Sequence, residues 1–247
     1  TNVWTDMSSS EWDMHHLRIW ISSNTPSGMM VRRLRVVGDK LSEIPEEIGK
    51  LRFLQELVLN NNRIERLPIT LFDLANLTYL SLYNNNIDAI PAGICSLYRL
   101  QTLQCSANKI SVIPPEIGLL RNLRSLFLDH NNITELPVEL NDCYSLDFLS
   151  VRGNNVSVLR CTAMMQLTQL DLTDNALTEF PISMNLVCVN RLGLSGNPLE
   201  TLSENIFVSP ECMVTVDARL RQTLEGVDIP FYINFFEEVD TKPARCI

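Results

Sequence analysis

Side chains that could do acid–base or metal chemistry are few and scattered in this sequence. The histidines are His15, His16 and His130, and no cysteine or carboxylate has metal-ligand spacing to the adjacent pair. His130 has no nucleophile at a defined spacing, as a catalytic histidine would need. The paired acids Asp171 and Asp174 are more typical of a solvated face than of acid–base catalysis. We therefore predict no enzyme activity, no cofactor and no bound metal.

The cysteines bear on the compartment in which the chain works. Their number, seven, is odd, and they lack the clustered spacing of a disulfide framework, which favours reduced thiols in the cytoplasm. Three N-x-S/T sequons, at Asn76, Asn132 and Asn155, keep an extracellular location open as the alternative.

Composition and charge exclude further classes of function. A chain of 247 residues that is 45% hydrophobic can bury a sizeable core in one large domain or two small ones. A formal charge of −9 disfavours general binding to nucleic acids or anionic membranes. No apolar run approaches the ~18 residues that a membrane span needs. We expect neither a nucleic-acid partner nor a membrane span.

The elements that position these side chains come from a repeat. The phrase L-x-x-L-x-L-x-x-N-x-L-x-x-L-P recurs eight times in register, which indicates a solenoid. The copies begin at Val31, Leu54, Leu77, Leu100, Leu123, Leu146, Leu167 and Val189. In the sixth copy Arg160 replaces the closing proline and the following segment is shortened, so we expect the array to change its curvature there.

Each place in the phrase has a physical role. Places three to seven alternate as a short strand does, so that Leu57 and Leu59 point to the core and Val58 to solvent. In the ninth place, a short amide can bond backbone groups left unpaired where the chain leaves the sheet. The asparagines expected to form this ladder are Asn62, Asn85, Asn108, Asn131, Asn154, Asn175 and Asn197.

The phrase resembles that of leucine-rich repeat proteins over roughly residues 31–210. The continuation I-P-x-x-I-x-x-L-x-x-L, as in Ile44 to Leu54, is similar to that of the intracellular Ras-suppressor, Scribble and plant Ras-group class. The resemblance implies an α/β fold, a curved horseshoe with a parallel sheet on its concave side and short helical turns on its convex side. It also implies a protein partner, with small GTPases and phosphatase subunits as the candidates.

A repeat array needs a cover at each end. Trp12, His16 and Trp20 recur every four residues, which predicts a cap helix that lays its tryptophans on the first repeat. We expect three parts: residues 1–30 as the N-terminal cap, 31–210 as eight leucine-rich repeats, and 211–247 as the C-terminal cap or tail.

Solvent-facing strand positions form a surface with no duty in the core. We call this surface the sheet face. It consists of places three, five and seven of each copy, with place eight as its rim. Exposed aromatic residues among polar groups are typical of protein-binding hot spots. The expected partner-binding residues are Tyr79, Tyr83, Gln104, Phe127, Asp129, His130, Phe148, Arg152 and Asp171. Alternatively, Phe127 and Phe148 only cover their neighbours across the sheet.

These observations together predict a non-enzymatic protein-binding module. We expect a monomeric cytosolic scaffold or regulatory adaptor in signal transduction. The start at Thr1 leaves open a recognition domain cut from a longer signalling enzyme, such as a kinase, phosphatase, cyclase or ubiquitin ligase. The sequons leave open a secreted or surface recognition protein.

Overall fold

The computed structural model describes residues 4–6, 13–24, 31–202, 204–207, 212–223 and 233–236. Within these ranges, parallel strands form one sheet in which each strand pairs with the next along the chain. The strands are β1 Trp4–Asp6, β2 Arg33–Arg35, β3 Glu56–Val58, β4 Tyr79–Ser81, β5 Thr102–Gln104, β6 Ser125–Phe127, β7 Phe148–Ser150, β8 Gln169–Asp171, β9 Arg191–Gly193, β10 Met213–Asp217 and β11 Ile233–Phe236. Each repeat therefore adds one strand.

Short 3₁₀ turns follow the closing prolines on the other side of the array. Pro68, for example, has φ −69° and ψ 149°, an extended conformation that ends one segment and leads into the turn. The turns span Glu46–Lys50, Ile69–Asp73, Ala92–Ser96, Pro115–Leu119 and Val138–Asp142. No such turn lies between β7 and β8, where Arg160 replaces the closing proline, or between β8 and β9, where Pro181 is present, and both stretches are described without gaps. The change of curvature expected at Arg160 remains a prediction.

One continuous hydrophobic core lies between the sheet and the turns. Leu57, Leu59 and Ile64 are fully buried, as the alternation of the phrase predicts, and Ile48 and Leu71 close the core from the turns. Burial of each such side chain stabilises the fold by about 1.5–3 kcal/mol. The leucines of the phrase thus hold the strands in place, and the residues between them are free to face solvent.

The predicted asparagine ladder is present at all seven positions. At Asn131, Nδ2 donates to the carbonyl oxygens of Cys105 and Leu128 at 3.0 and 2.9 Å. Oδ1 of the same amide accepts a bond from the Ile110 N–H at 2.9 Å. Each asparagine thus joins its own repeat to the preceding one.

The eighth place of the repeat has a left-handed backbone, which the phrase did not reveal. Asparagine, aspartate and glycine adopt this conformation more readily than other residues. The residues are Asn61, Asn84, Ala107, His130, Gly153, Asp174 and Gly196, with φ between 53° and 70°. Ala107 and His130 therefore occupy two of these positions at a cost in backbone conformational free energy.

Replacing Ala107 with glycine is expected to raise the free energy of unfolding by about 0.5–1 kcal/mol. Relief of the left-handed strain, about 1–2 kcal/mol, outweighs the entropy that glycine loses on folding. Urea denaturation measures the change. The matched control is Ala92→Gly, at a position with ordinary φ, which should destabilise the chain. Destabilisation by both substitutions would contradict this account of Ala107.

At the N-terminal end, helix α1 (Met14–Asn24) packs on the first repeat. Leu17 and Ile21 are fully buried and Trp20 is half-buried against the core, but His16 is exposed. Of the expected tryptophan contacts, Trp20 thus packs against the core, while Leu17 and Ile21, four residues apart, form the fully buried stripe of the helix. Trp12 lies outside the described residues.

Towards the C-terminal end, the sheet continues past residue 210. Val214 and Val216 of β10 are buried, and Phe235 of β11 packs against the core. Two short helices accompany these strands, α2 (Glu204–Phe207) and α3 (Leu220–Thr223). The division of the chain into eight repeats and a separate C-terminal part remains a prediction.

Candidate binding surface

The acids singled out in the sequence have structural partners. The Oδ1 atom of Asp171 accepts a bond from the Thr173 N–H at 2.9 Å, and Asp174 forms an ion pair with Arg152 at 3.2 Å. Among the described residues, no group of three or more His, Cys, Asp or Glu side chains is arranged to hold a metal ion. Nor do these residues include a helix both long and apolar enough to cross a membrane.

Most of the described cysteines are core side chains. Cys105, Cys143, Cys161 and Cys212 are buried free thiols, whereas Cys188 is exposed. Burial disfavours the thiolate and raises the pKa of Cys105 to about 12 and that of Cys161 to about 11. These two thiols fill places in the hydrophobic core and are not reactive groups.

Iodoacetamide at pH 8 is expected to alkylate Cys188 and to leave Cys105 and Cys161 unmodified in the folded chain. The reagent cannot reach the buried sulfur atoms, and with a pKa of about 12 only about one Cys105 in 10⁴ is a thiolate at pH 8. All three should react after unfolding in urea. Mass spectrometry of the peptides measures the labelling, and native labelling of Cys105 at the rate of Cys188 would contradict the placement.

The four aromatic residues predicted on the sheet face lie there in two pairs. Tyr79 on β4 and Tyr83 just after it are 36% and 42% exposed. Phe127 on β6 and Phe148 on β7 are half-buried, with ring centroids 4.7 Å apart and planes tilted by 36°. The phenylalanines therefore cover each other across the sheet and also present their outer surfaces to solvent.

A polar strip on β5 separates the two aromatic pairs. Its side chains are Thr102 and Gln104, followed by the buried Ser106. Gln104 Oε1 accepts a bond from the Ser106 N–H at 2.8 Å, which orients the amide. Phe127 is in register with Ser81, two residues before Tyr83, across two strand spacings of ~4.8 Å, so the Cα atoms of Tyr83 and Phe127 lie roughly 12 Å apart. Both aromatic pairs lie within reach of one bound segment.

Asp129 ties three repeats together. It accepts bonds from the Ser106 hydroxyl at 3.2 Å, from the Arg152 N–H at 3.0 Å and from the Ser150 hydroxyl. These partners are 21 to 23 residues away along the chain. The carboxylate expected to contact a partner is thus also a structural group that shapes the sheet face.

The remaining predicted residues lie at the rim and at the C-terminal end of the sheet face. His130 is exposed, with φ 53°. A Cβ at Gly153 would lie 2.5 Å from His130 Nδ1, so this glycine makes room for the ring. Arg152 and Asp174 pair as half-exposed side chains, and Asp171 lies on β8. All nine predicted residues therefore lie along one face between β4 and β8.

Sequence reasoning missed a depression of about 450 Å³ beside Phe148. Gly193 contributes to its lining, and a Cβ there would lie 2.6 Å from Asp171 Oδ1. The exposed side chains of Arg191 and Met213 also line it. The sequence signal for this depression was Gly193, in the fifth place of the last copy, where the other copies have larger side chains.

The three sequons differ in the structure. Asn132 and Asn155 are exposed. Asn76 is engaged through both amide atoms: Nδ2 donates to the Arg52 carbonyl at 2.8 Å, and Oδ1 accepts from Arg99 Nη1 at 2.9 Å. A glycan would therefore fit the contacts at Asn132 and Asn155 but not those at Asn76.

Two family models match the chain. One, described as a leucine-rich repeat region, covers residues 70–180, and the other, a leucine rich repeat, covers residues 31–87. Together with the parallel sheet, the 3₁₀ turns and the asparagine ladder, they show that the chain belongs to the leucine-rich repeat proteins. Its fold is the leucine-rich repeat solenoid predicted above. No curated protein sequence matches the chain significantly.

Solved structures of other leucine-rich repeat proteins are similar to this one. A protein from Leptospira interrogans is 28% identical, with a TM-score of 0.66 over 78% of this chain and 56% of its own. An internalin from Listeria monocytogenes is 26% identical, with a TM-score of 0.65 over 76% and 54%. The ectodomain of a plant membrane receptor kinase from Arabidopsis thaliana, solved with Casparian strip integrity factor 2, is 28% identical, with a TM-score of 0.61 over 78% and 27%. The chain thus spans about half the length of the first two structures.

Proposed function

We propose that this chain binds a protein partner through the sheet face between β4 and β8. The leucine-rich repeat fold supports a protein-interaction module in general. The observation that supports this face is its pair of exposed tyrosines, Tyr79 and Tyr83, beside the stacked rings of Phe127 and Phe148. Aromatic side chains among oriented polar groups are the usual anchors of protein interfaces.

The size and rigidity of the sheet face suit this role. The eight repeat strands at ~4.8 Å span about 34 Å, of which β4 to β8 take about 19 Å, so an ordinary interface of ~800 Å² per partner can be centred on the aromatic residues. Its polar groups are already oriented by hydrogen bonds, within a repeat at Gln104 and between repeats at Asp129. Docking on such a surface costs little ordering entropy.

The biological role we propose is that of a monomeric cytosolic scaffold or regulatory adaptor in signal transduction. The resemblance to the Ras-suppressor class supports a small GTPase or a phosphatase subunit as the partner. Free thiols buried at Cys105 and Cys161 are in keeping with a reducing compartment.

Two specific observations favour other roles. The similarity to the ectodomain of a receptor kinase supports a recognition domain of a larger signalling enzyme. The exposed sequons at Asn132 and Asn155 support a secreted or surface recognition protein, for which endoglycosidase treatment of native protein should lower the mass.

Affinity capture from native extract tests the proposal. The wild-type chain is compared with Tyr83→Ala/Phe127→Ala, and the retained proteins are identified by mass spectrometry. The control is Ile69→Ala/Val138→Ala, which removes exposed apolar side chains from the 3₁₀ side. A protein retained by wild type and control but lost from the sheet-face variant is the expected result. Equal retention by all three chains would refute the proposed surface.

A further inference from the structure

A second surface lies where the chain turns into each strand. It is formed by the two residues that precede the first leucine of a copy and by the residue in the second place, directly after that leucine. Exposed aromatic side chains lie there: Phe53, Tyr98 and Tyr144 are 53%, 51% and 58% exposed. These fractions exceed those of Tyr79 and Tyr83 on the sheet face. None of the three rings contributes to the buried core, so their exposure calls for an explanation.

The side chains of this surface are held in rows. Backbone bonds of 2.8 Å join the Arg124 N–H to the Gln101 carbonyl and the Gln101 N–H to that of Thr78. Residues in the second place therefore follow one another at the strand spacing of ~4.8 Å. Tyr98, Arg121 and Tyr144 hold the same place in three successive copies and form a second row beside the first.

Arginine side chains lie among these rings. The Cζ atom of Arg121 is 5.9 Å from the ring centroid of Tyr144, and that of Arg99 is 5.9 Å from that of Tyr98. Arg124 is exposed in the adjacent row. Among the described residues, none of these three arginines forms an ion pair. Three guanidinium charges are therefore left without a carboxylate, on rings that orient two of them.

The positive charge of Arg99, Arg121 and Arg124 contrasts with the net negative charge of the chain. The chain as a whole carries a formal charge of −9. The opposite edge of the array, at places ten to thirteen of each copy, carries exposed acids such as Glu43, Glu65 and Glu135 beside exposed bases such as Arg66 and Lys109.

Towards the C-terminal end, the exposed Asp147 follows Arg124 in the second-place row, and the exposed Asp142 lies two residues before Tyr144. The three arginines are therefore next to negative charge on their C-terminal side, whereas on the N-terminal side the exposed Arg52 holds the place of Tyr98.

We propose that this surface, defined by Phe53, Tyr98, Arg99, Arg121, Arg124 and Tyr144 and called here the arginine–tyrosine edge, binds a short acidic segment of a partner protein. Carboxylates of the segment pair with the guanidinium groups, which suit planar, bidentate recognition. The apolar parts of the segment lie on the exposed rings. The edge spans two strand spacings from Tyr98 to Tyr144 and four from Phe53 to Tyr144, which at ~3.3 Å per residue hold about three and about six extended residues.

Charge complementarity favours a protein segment over a nucleic acid. A nucleic-acid strand carries charge along its whole length, and its path would continue over Asp142 and Asp147 on a chain with a formal charge of −9. A short acidic segment can lie over Arg99, Arg121 and Arg124 and need not extend past Tyr144, which Asp142 and Asp147 flank in the sequence. This inference does not depend on the sheet face, because none of its residues belongs to that surface.

Selection from a phage-displayed library of random dodecapeptides tests the arginine–tyrosine edge. The library is selected on the wild-type chain, on the edge variant Tyr98→Ala/Arg121→Ala/Arg124→Ala, and on Tyr83→Ala as the sheet-face control. All substituted side chains are exposed. Circular dichroism checks that each variant is folded.

We expect peptides with two or more Asp or Glu in a five-residue stretch to be recovered on wild type and Tyr83→Ala, but not on the edge variant. A synthetic peptide of this kind should bind the edge variant at least tenfold more weakly. The charge-reversed chain Arg121→Glu/Arg124→Glu should select basic peptides instead.

Four results would overturn the proposal. One is that peptides depending on the edge are neutral or basic, and another is that no recovered peptide depends on the edge. A third is that a single-stranded oligonucleotide binds wild type more tightly than the acidic peptides and loses binding in the edge variant. The fourth is that the substitutions change only self-association in sedimentation, which would assign the edge to a second copy of this chain.

Discussion

Asn131→Ala is expected to lower the free energy of unfolding by about 3 kcal/mol. Among the residues that the structure describes, its amide is the only partner of the Ile110 N–H, and an orphaned buried donor costs about 1–3 kcal/mol. The carbonyls of Cys105 and Leu128 each lose one of two bonds, since Asn108 and Asn154 still donate to them. Each lost bond contributes a further ~0.5–1.5 kcal/mol. The total is a large share of the ordinary stability of a domain.

The neighbouring amide is a matched control for this prediction. Asn132 is exposed, and Asn132→Ala should change the free energy of unfolding by no more than about 0.5 kcal/mol. Urea denaturation gives both values. Amide hydrogen exchange at Ile110 adds a local measure, which matters because the stability of a solenoid is a sum over neighbouring repeats. Equal losses in the two variants would show that the ladder does not hold the repeats together.

Tyr83→Ala/Phe127→Ala is expected to weaken binding of the captured partner at least ~100-fold. Truncation of an aromatic hot spot typically costs 2 kcal/mol or more, and each 1.4 kcal/mol is tenfold in affinity. Tyr83 presents its ring to solvent on one side of the β5 strip, and Phe127 holds the Phe148 ring on the other side. The double substitution therefore removes an anchor from each aromatic pair. Isothermal titration calorimetry measures the change.

Controls separate lost binding from lost folding. Removing the Phe127 ring takes about 1 kcal/mol of ring–ring contact from the fold, which thermal unfolding will show as a modest shift. Ile69→Ala/Val138→Ala on the 3₁₀ side should leave the affinity unchanged. Asp129 is unsuited to this test because its substitution would loosen three repeats at once. An affinity within threefold of wild type for the double variant would contradict the assignment of these anchors.

Periodicity explains how much of the fold could be predicted from the sequence. Leucine, asparagine and proline recur because each repeat has the same packing, the same unpaired backbone groups and the same turn. The bonds of Asp129 follow a rule that becomes visible only when neighbouring copies are compared. Asn60 has the same arrangement, since its Oδ1 accepts from the Ser81 hydroxyl and the Tyr83 N–H at 2.7 and 3.0 Å. An amide or acid in the seventh place, followed by serine in the fifth place of the next copy, is the signal.

Other features were hidden by exceptions to a pattern. The left-handed eighth place has asparagine, aspartate or glycine in five copies, but Ala107 and His130 obscure the preference. Strand β10 has the alternation of Val214 and Val216, yet five residues outside the repeat are too few to predict a strand. The arginine–tyrosine edge is formed by residues of different copies, at positions where the repeat phrase does not specify the residue type.

Photo-crosslinking of the bound partner tests the central claim most directly. A benzoylphenylalanine residue replaces Gln104, in the middle of the sheet face, or Ile69, exposed on the 3₁₀ side, and each chain is irradiated with the captured partner. Our account predicts a covalent adduct from position 104 and none from position 69. An adduct from position 69 alone would place the partner on the opposite side of the solenoid and contradict the proposed function.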